Sequence, residues 1–190
     1  MFIFLGVSPM AIDRSLFLEI VKDAYSAYYT IIPAEEGECD LPLAFRAEYA
    51  VRDEQFFLSK NAQIWSNEKN EYCFVFSAPS FNAETARRCI DFSLEEMLPK
   101  VKPHKQHQYT NCKVILIGDS IDEDAVVVVK KSKFSKTYGP LSIYGYTELL
   151  AAAVDLEKRK AFANRVGKDL ESFFGKLFAL RSEDTQSNGQ

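Results

Sequence analysis

The sequence predicts an α+β fold in which two β-β-β-α repeats lie side by side behind an N-terminal helix. Three observations carry this. Apolar residues alternate with polar ones over Phe45–Arg52, and the rhythm changes to three- and four-residue intervals after Asn82. The same order of rhythms returns beyond a polar linker at Lys100–Asn111. Landmarks of the two halves also keep a nearly constant offset: Asp53-Glu54 against Asp122-Glu123, and Tyr72, Phe74 and Phe76 against Ser142, Tyr144 and Tyr146. The expected architecture is an antiparallel or mixed sheet of about six strands, the copies related by a pseudo-twofold, with the helices mainly on one face. The repeats cover about 43–99 and 112–178 of a single domain at 1–180, and 181–190 is a flexible polar tail.

Met1–Val7 is apolar but lacks a basic flank and a cleavage site and is too short to span a bilayer, so it reads as a buried strand or a helix lead-in. Ser8 followed by Pro9 suits a helix start, and Leu16, Phe17, Ile20, Val21, Ala24, Ala27 and Tyr28 give one apolar face over about 9–29. Glu35 to Glu38 is an acidic loop. The first repeat then has strands at Leu43–Arg52, Phe56–Trp65 and Tyr72–Ser77, a turn at Asn67-Glu68-Lys69-Asn70, and a helix capped by Asn82 and closed by Pro99. The second repeat has strands at Val114–Ile117, Ala125–Phe134 and Ser142–Tyr146. A long helix follows from Thr147, with Gly167 and Gly175 as places where it bends or breaks.

Composition bounds the function. A chain of 190 residues, 47% hydrophobic with 15 Phe and 9 Tyr, has the apolar surface for a sizeable core. A formal charge of −4 speaks against the broad basic surface of non-specific nucleic-acid binding. Cys39, Cys73, Cys89 and Cys112 form no C-x-x-C pair and read as reduced thiols, which with the missing leader points to a soluble cytoplasmic protein.

Candidate site residues are few. His104-x-x-His107 followed by Cys112 has metal-like spacing but no adjacent fourth ligand, and a Lys-rich linker explains the same histidines. Lys130, Lys131, Lys133 and Lys136, interleaved with Phe134 and Tyr138, form the strongest basic cluster; such a strand-turn contacts phosphates or simply protects a sheet edge. Asp119, Asp122, Glu123 and Asp124 suit a hard cation or a hairpin turn. A restriction-enzyme type of nuclease, with Glu48 and Asp53 as further members, asks for an acid two residues before a lysine on a central strand, and Val126–Lys131 offers only valines there. Val114–Ser120 resembles the Gly-Asp-Ser block of the GDSL hydrolases, which implies Ser120 as a nucleophile. In that family the base is a histidine near the C-terminus, and no histidine follows Ser120, so the block reads as a strand end entering a turn. No phosphate-cradling glycine motif is present.

The leading expectation is therefore a non-catalytic binding or scaffolding domain, with Lys130, Lys131, Lys133, Lys136 and Tyr138 as ligand-binding candidates and no cofactor. The alternative is a metal-dependent hydrolase or nuclease using Asp119–Asp124. Expected partners are a protein or small ligand, or a second copy docked where the aromatics Tyr25, Tyr28, Tyr29, Phe56, Phe57, Tyr144 and Tyr146 continue onto the surface, although core burial explains most of them, with no membrane contact and nucleic acid disfavoured.

Overall fold

The computed structural model describes residues 12–35, 37–56 and 63–187. The chain runs α1 (Arg14–Ser26), β1 (Thr30–Pro33), β2 (Leu43–Phe56), β3 (Gln63–Phe81), α2 (Ala83–Met97), β4 (His107–Ile121), α3 (Glu123–Lys131), β5 (Ser135–Thr137), β6 (Tyr146–Asp155), β7 (Lys160–Ala163) and α4 (Lys168–Ser187), with 3-10 turns at Leu98–Lys100 and Pro140–Ser142. Seven strands form an open mixed sheet in the order β1-β2-β3-β4-β6-β5, with β7 also pairing β6. β1, β2 and β3 are antiparallel neighbours, whereas β3, β4 and β6 are parallel. β5 and β7 share the outer edge of β6, at Tyr146–Glu148 and Ala152–Asp155. The α+β class, the mixed sheet and the N-terminal helix are as expected.

Side-chain alternation divides the core. In β3, Cys73 and Val75 join a cluster with Phe17 and Val21 of α1 and Phe174 and Phe178 of α4, while Phe74 and Phe76 join Ala86, Cys89 and Ile90 of α2 and Val129 of α3. Two helices thus cover each face, which corrects the expectation of helices mainly on one face. The parallel triplet is buried on both sides: its crossovers α2 and α3 cover one face and α1 and α4 the other, and its strands read as continuous apolar runs such as Val114–Ile117 and Leu149–Val154.

Individual elements moved for physical reasons. α1 is capped at Asp13, whose carboxylate accepts the Leu16 amide at 2.8 Å, and it buries Phe17, Val21 and Tyr25; Met1–Val7 and the expected start at Ser8-Pro9 lie outside the described residues. The expected turn at Asn67–Asn70 is strand, paired with Asp53–Ala50, so the expected second and third strands belong largely to one hairpin whose 57–62 portion lies outside the described residues. Ala125–Phe134, expected as a strand from its valines, mostly folds as α3: Glu123 and Asp124 sit in its first turn, Lys130 and Lys131 in its last, and Ala125 and Val129 are buried one turn apart. The segment from Thr147, expected as helix from its alanines, is the buried strand β6. The repeat is not confirmed. Phe45 lies on antiparallel β2 and Val114 on parallel β4, in opposite core clusters, which removes the basis for a pseudo-twofold and for a groove between repeats.

Candidate functional site

α2 and α3 lie side by side on one face and leave a groove of about 410 Å³ between them. Its apolar lining is Ile90 and Leu94 from α2, Val127 and Val128 from α3, and Leu149 from β6. Ile90 and Leu94 are one turn apart, as are Arg87 and Asp91, so each pair shares one side of α2. The charged rim carries Arg87, Lys131 and Lys133 against Asp91. Val127, at 45% exposure, presents an apolar side chain to water at the mouth.

One buried amide fixes the groove's inner end. Asn164 Nδ2 donates to Leu149 O at 2.9 Å and to Ser132 O at 3.2 Å, while its Oδ1 accepts from Gly167 N at 2.8 Å and from Ala151 N at 3.2 Å. These four bonds tie the exit of α3 to β6 and to the approach to α4, and they satisfy a side chain only 2% exposed. A Cβ on Gly167 would lie 2.8 Å from that same Oδ1, so the close approach requires glycine.

The structure divides the sequence-predicted lysine cluster. Lys131 and Lys133 reach the groove, but Lys130 lies over the Phe162 ring at 5.0 Å and Lys136 over the Tyr138 ring at 5.3 Å. Tyr138 Oη is 3.2 Å from Thr147 Oγ1. Sequence reasoning missed Arg87, Asp91 and Asn164, whose only signal was helical spacing in the first two and nothing local in the third.

The metal-like triplet is not brought together. His107 Nδ1 donates to Tyr144 O at 2.8 Å and its Nε2 accepts from Thr110 Oγ1 at 2.8 Å, so both ring nitrogens of this buried histidine are engaged. His104 Nε2 donates to Glu68 Oε2 at 3.0 Å while its Nδ1 accepts the Gln106 amide at 3.2 Å. Hydrogen bonds from the Asn70 amide and then from His104 hold the Glu68 carboxyl below the usual carboxylate range. Cys112 is buried under the α2/α3 face, and burial pushes its thiol up. Among the described residues no group of three or more His, Cys, Asp or Glu side chains is placed to hold a metal ion.

The acidic run is also dispersed into local roles. Asp119 is ion-paired with Arg14 of α1, and Asp122, Glu123 and Asp124 open α3, where its free amides favour negative charge. Gly118, Asp119 and Ser120 end β4, Ser120 pairing with Ser80 of β3. Glu48, imagined as a nuclease member, is ion-paired with Lys100 at 2.9 Å.

A second unusual surface is the loop from Gly139 to Gly145. Leu141 and Ser142 hold φ of 51° and 61°, left-handed conformations that cost non-glycine residues on the order of 1–3 kcal/mol each. Its base is clamped by Tyr138 N–H to Gly145 O and Tyr144 N–H to Tyr138 O, both 3.0 Å. A Cβ on Gly145 would sit 2.5 Å from His107 O. The result presents Leu141 at 97% exposure and Ile143 at 56%.

The sequence matches, over residues 13–176, a family described as Domain of unknown function (DUF8052). No curated protein and no solved structure matches. Among the described residues no helix is long and apolar enough to cross a membrane.

Proposed function

This chain belongs to the family described as Domain of unknown function (DUF8052), and from that premise we propose that it is a non-catalytic binding domain whose α2/α3 groove receives an apolar-faced helical segment of a protein partner flanked by carboxylates. One observation carries the reading: an aliphatic trough whose rim holds three cations against one acid. Two parallel helical ridges accept side chains spaced one turn apart on a third helix, and the rim charge selects acidic flanks over basic ones. The engaged nitrogens of His104 and His107 and the burial of Cys112 in the core add support, since each is occupied in holding the fold.

The test titrates the chain with two synthetic amphipathic helices that share one leucine face, one flanked by glutamates and one by lysines. The acidic peptide should shift the NMR signals of Ile90, Leu94, Val127 and Val128 and the basic one should not, with the preference reversed by Arg87→Glu combined with Lys131→Glu. Equal binding of both peptides, or of neither, would reject the groove as the site.

A further inference from the structure

We propose that the loop from Gly139 to Gly145 is an anchor that seats the protein on an anionic lipid bilayer surface, independently of what the α2/α3 groove binds. The loop is apolar and exposed at its centre: Leu141 is 97% exposed, Ile143 is 56% exposed, and Pro140 adjoins them. The Leu141 side chain touches solvent instead of core. Yet the backbone beneath it is held in a left-handed conformation by paired hydrogen bonds and by the packing of Gly145 on His107. A strained, clamped loop that displays leucine to water is organised for a contact outside the chain.

The surroundings select the contact. Tyr146, 37% exposed, follows the loop with Tyr109 beside it at 6.0 Å between ring centroids, an aromatic level of the kind that sits at lipid headgroups. At this end of the sheet Glu48 is paired with Lys100 and Glu71 with Lys113, while Glu68 accepts a hydrogen bond from His104. Lys133 and Lys136 on the chain leading into the loop, and Lys105 two residues before His107, make no ion pair among the described residues; Glu148 on β6 is an acid without such a partner. Positive charge on the strand that enters an apolar tip complements an anionic headgroup layer. A second copy's groove is a poorer seat, since Arg87, Lys131 and Lys133 on its rim repel the same lysines. A surface contact of this kind needs no spanning helix.

The experiment is co-sedimentation of the full chain with vesicles of equal parts phosphatidylserine and phosphatidylcholine, and with phosphatidylcholine alone. The chain should associate with the mixed vesicles, much less with the neutral ones, and less again as salt is raised. Leu141→Asp should weaken association about tenfold while leaving the thermal midpoint unchanged, and Lys105→Glu with Lys136→Glu should act in the same direction. The proposal is overturned if the native chain ignores both vesicles, which would make the loop a protein contact. It is equally overturned if both vesicle types bind alike or if Leu141→Asp binds as the native chain does.

Discussion

The two faces of the central sheet are each covered by a pair of helices, yet the seam of one pair is bridged by aromatic rings and the seam of the other keeps an open aliphatic trough. Between α1 and α4 the seam is aromatic: Phe17 stacks on Phe178 at 5.3 Å, Phe174 lies 6.3 Å from Phe17, and the Tyr25 and Phe173 rings meet edge to face at 6.0 Å. Between α2 and α3 the seam is aliphatic, built on Ile90, Leu94, Val127 and Val128, and it leaves about 410 Å³ open. Large rings span the wider seam between α1 and α4, whereas the aliphatic side chains of the closer α2/α3 pair leave their surface trough unfilled. Seam residues therefore decide which face is finished by the chain itself and which is left for another molecule to finish.

The sharpest way to break the comparison is to open the closed face. Phe174 is fully buried, so Phe174→Ala should remove about 3–5 kcal/mol from the urea unfolding free energy with little change in slope. A loss below about 1 kcal/mol would mean that the α1/α4 seam collapses around the gap and that ring size does not separate the two faces.

A smaller effect tests the polar end of that same face. Lys113 Nζ lies 2.6 Å from Glu71 Oε2 and 2.8 Å from Tyr29 Oη, and the Tyr29 hydroxyl also donates to Glu71. Burial first, and the Glu71 hydrogen bond next, push the Tyr29 phenol up. Lys113→Met should leave Glu71 without its cation and cost about 2–4 kcal/mol by urea titration, less than a fully buried pair because both side chains keep some water. Lys113→Met combined with Glu71→Gln should recover much of that loss; failure to recover would assign the cost to packing alone.

How much of this contrast was legible in the sequence depends on the interaction that decided each element. Phe17 and Val21 of α1 and the Asn82 cap are local signals, and both were readable, although Leu16 and Tyr28, expected on the same apolar face, are exposed and Tyr25 is buried in their place. The cap at Asn82 holds the Thr85 amide at 2.8 Å as expected. Ala125–Lys131 and Tyr146–Asp155 were misread because valine-rich helix and alanine-rich strand are tertiary choices: β6 is covered on both faces, and its small side chains suit close approach of α3 and α4. Lys131 and Lys133 were found as a charge cluster, but the groove they border needs α2 beside α3, a juxtaposition across residues distant in the chain. Asn164 could not be singled out, since its four partners come from β6, the exit of α3 and the approach to α4. The strained turn at Leu141 had a signal, two glycines bracketing a proline, that a strand reading passed over.

The cysteines compare the faces by depth. Cys73 lies under the closed face, Cys89 and Cys112 under the grooved one, and all three are buried. Burial pushes the Cys73 and Cys89 thiols up to about 12, and that of Cys112 up as well. Because the folded values are raised, the unfolded chain loses its thiol protons first. The stability these groups contribute is complete below the ordinary thiol range near pH 8.5 and falls as pH rises toward 12, by up to about 1.4 kcal/mol per pH unit for each thiol. Urea titrations across that window should show the decline, and Cys89→Ala should flatten it by the same amount as Cys73→Ala. A much smaller flattening at Cys89 would mean that the groove is deeper than its lining suggests.

The smallest expected effect is the most informative about the open face. Val127 stands at the mouth with 45% of its surface exposed, so Val127→Phe adds a ring where there is space and does not overpack the core. It should change the unfolding free energy by less than about 1 kcal/mol, in either direction, because the ring gains contact with Leu94 and Ile90 only by giving up rotamer freedom. Binding of the glutamate-flanked helix should nevertheless fall at least about tenfold, since the trough it would enter is then filled from within. The two readouts must separate: stability held and binding lost identifies the aliphatic seam as a receptor surface, whereas a large stability change with binding intact would make it an imperfectly packed part of the core.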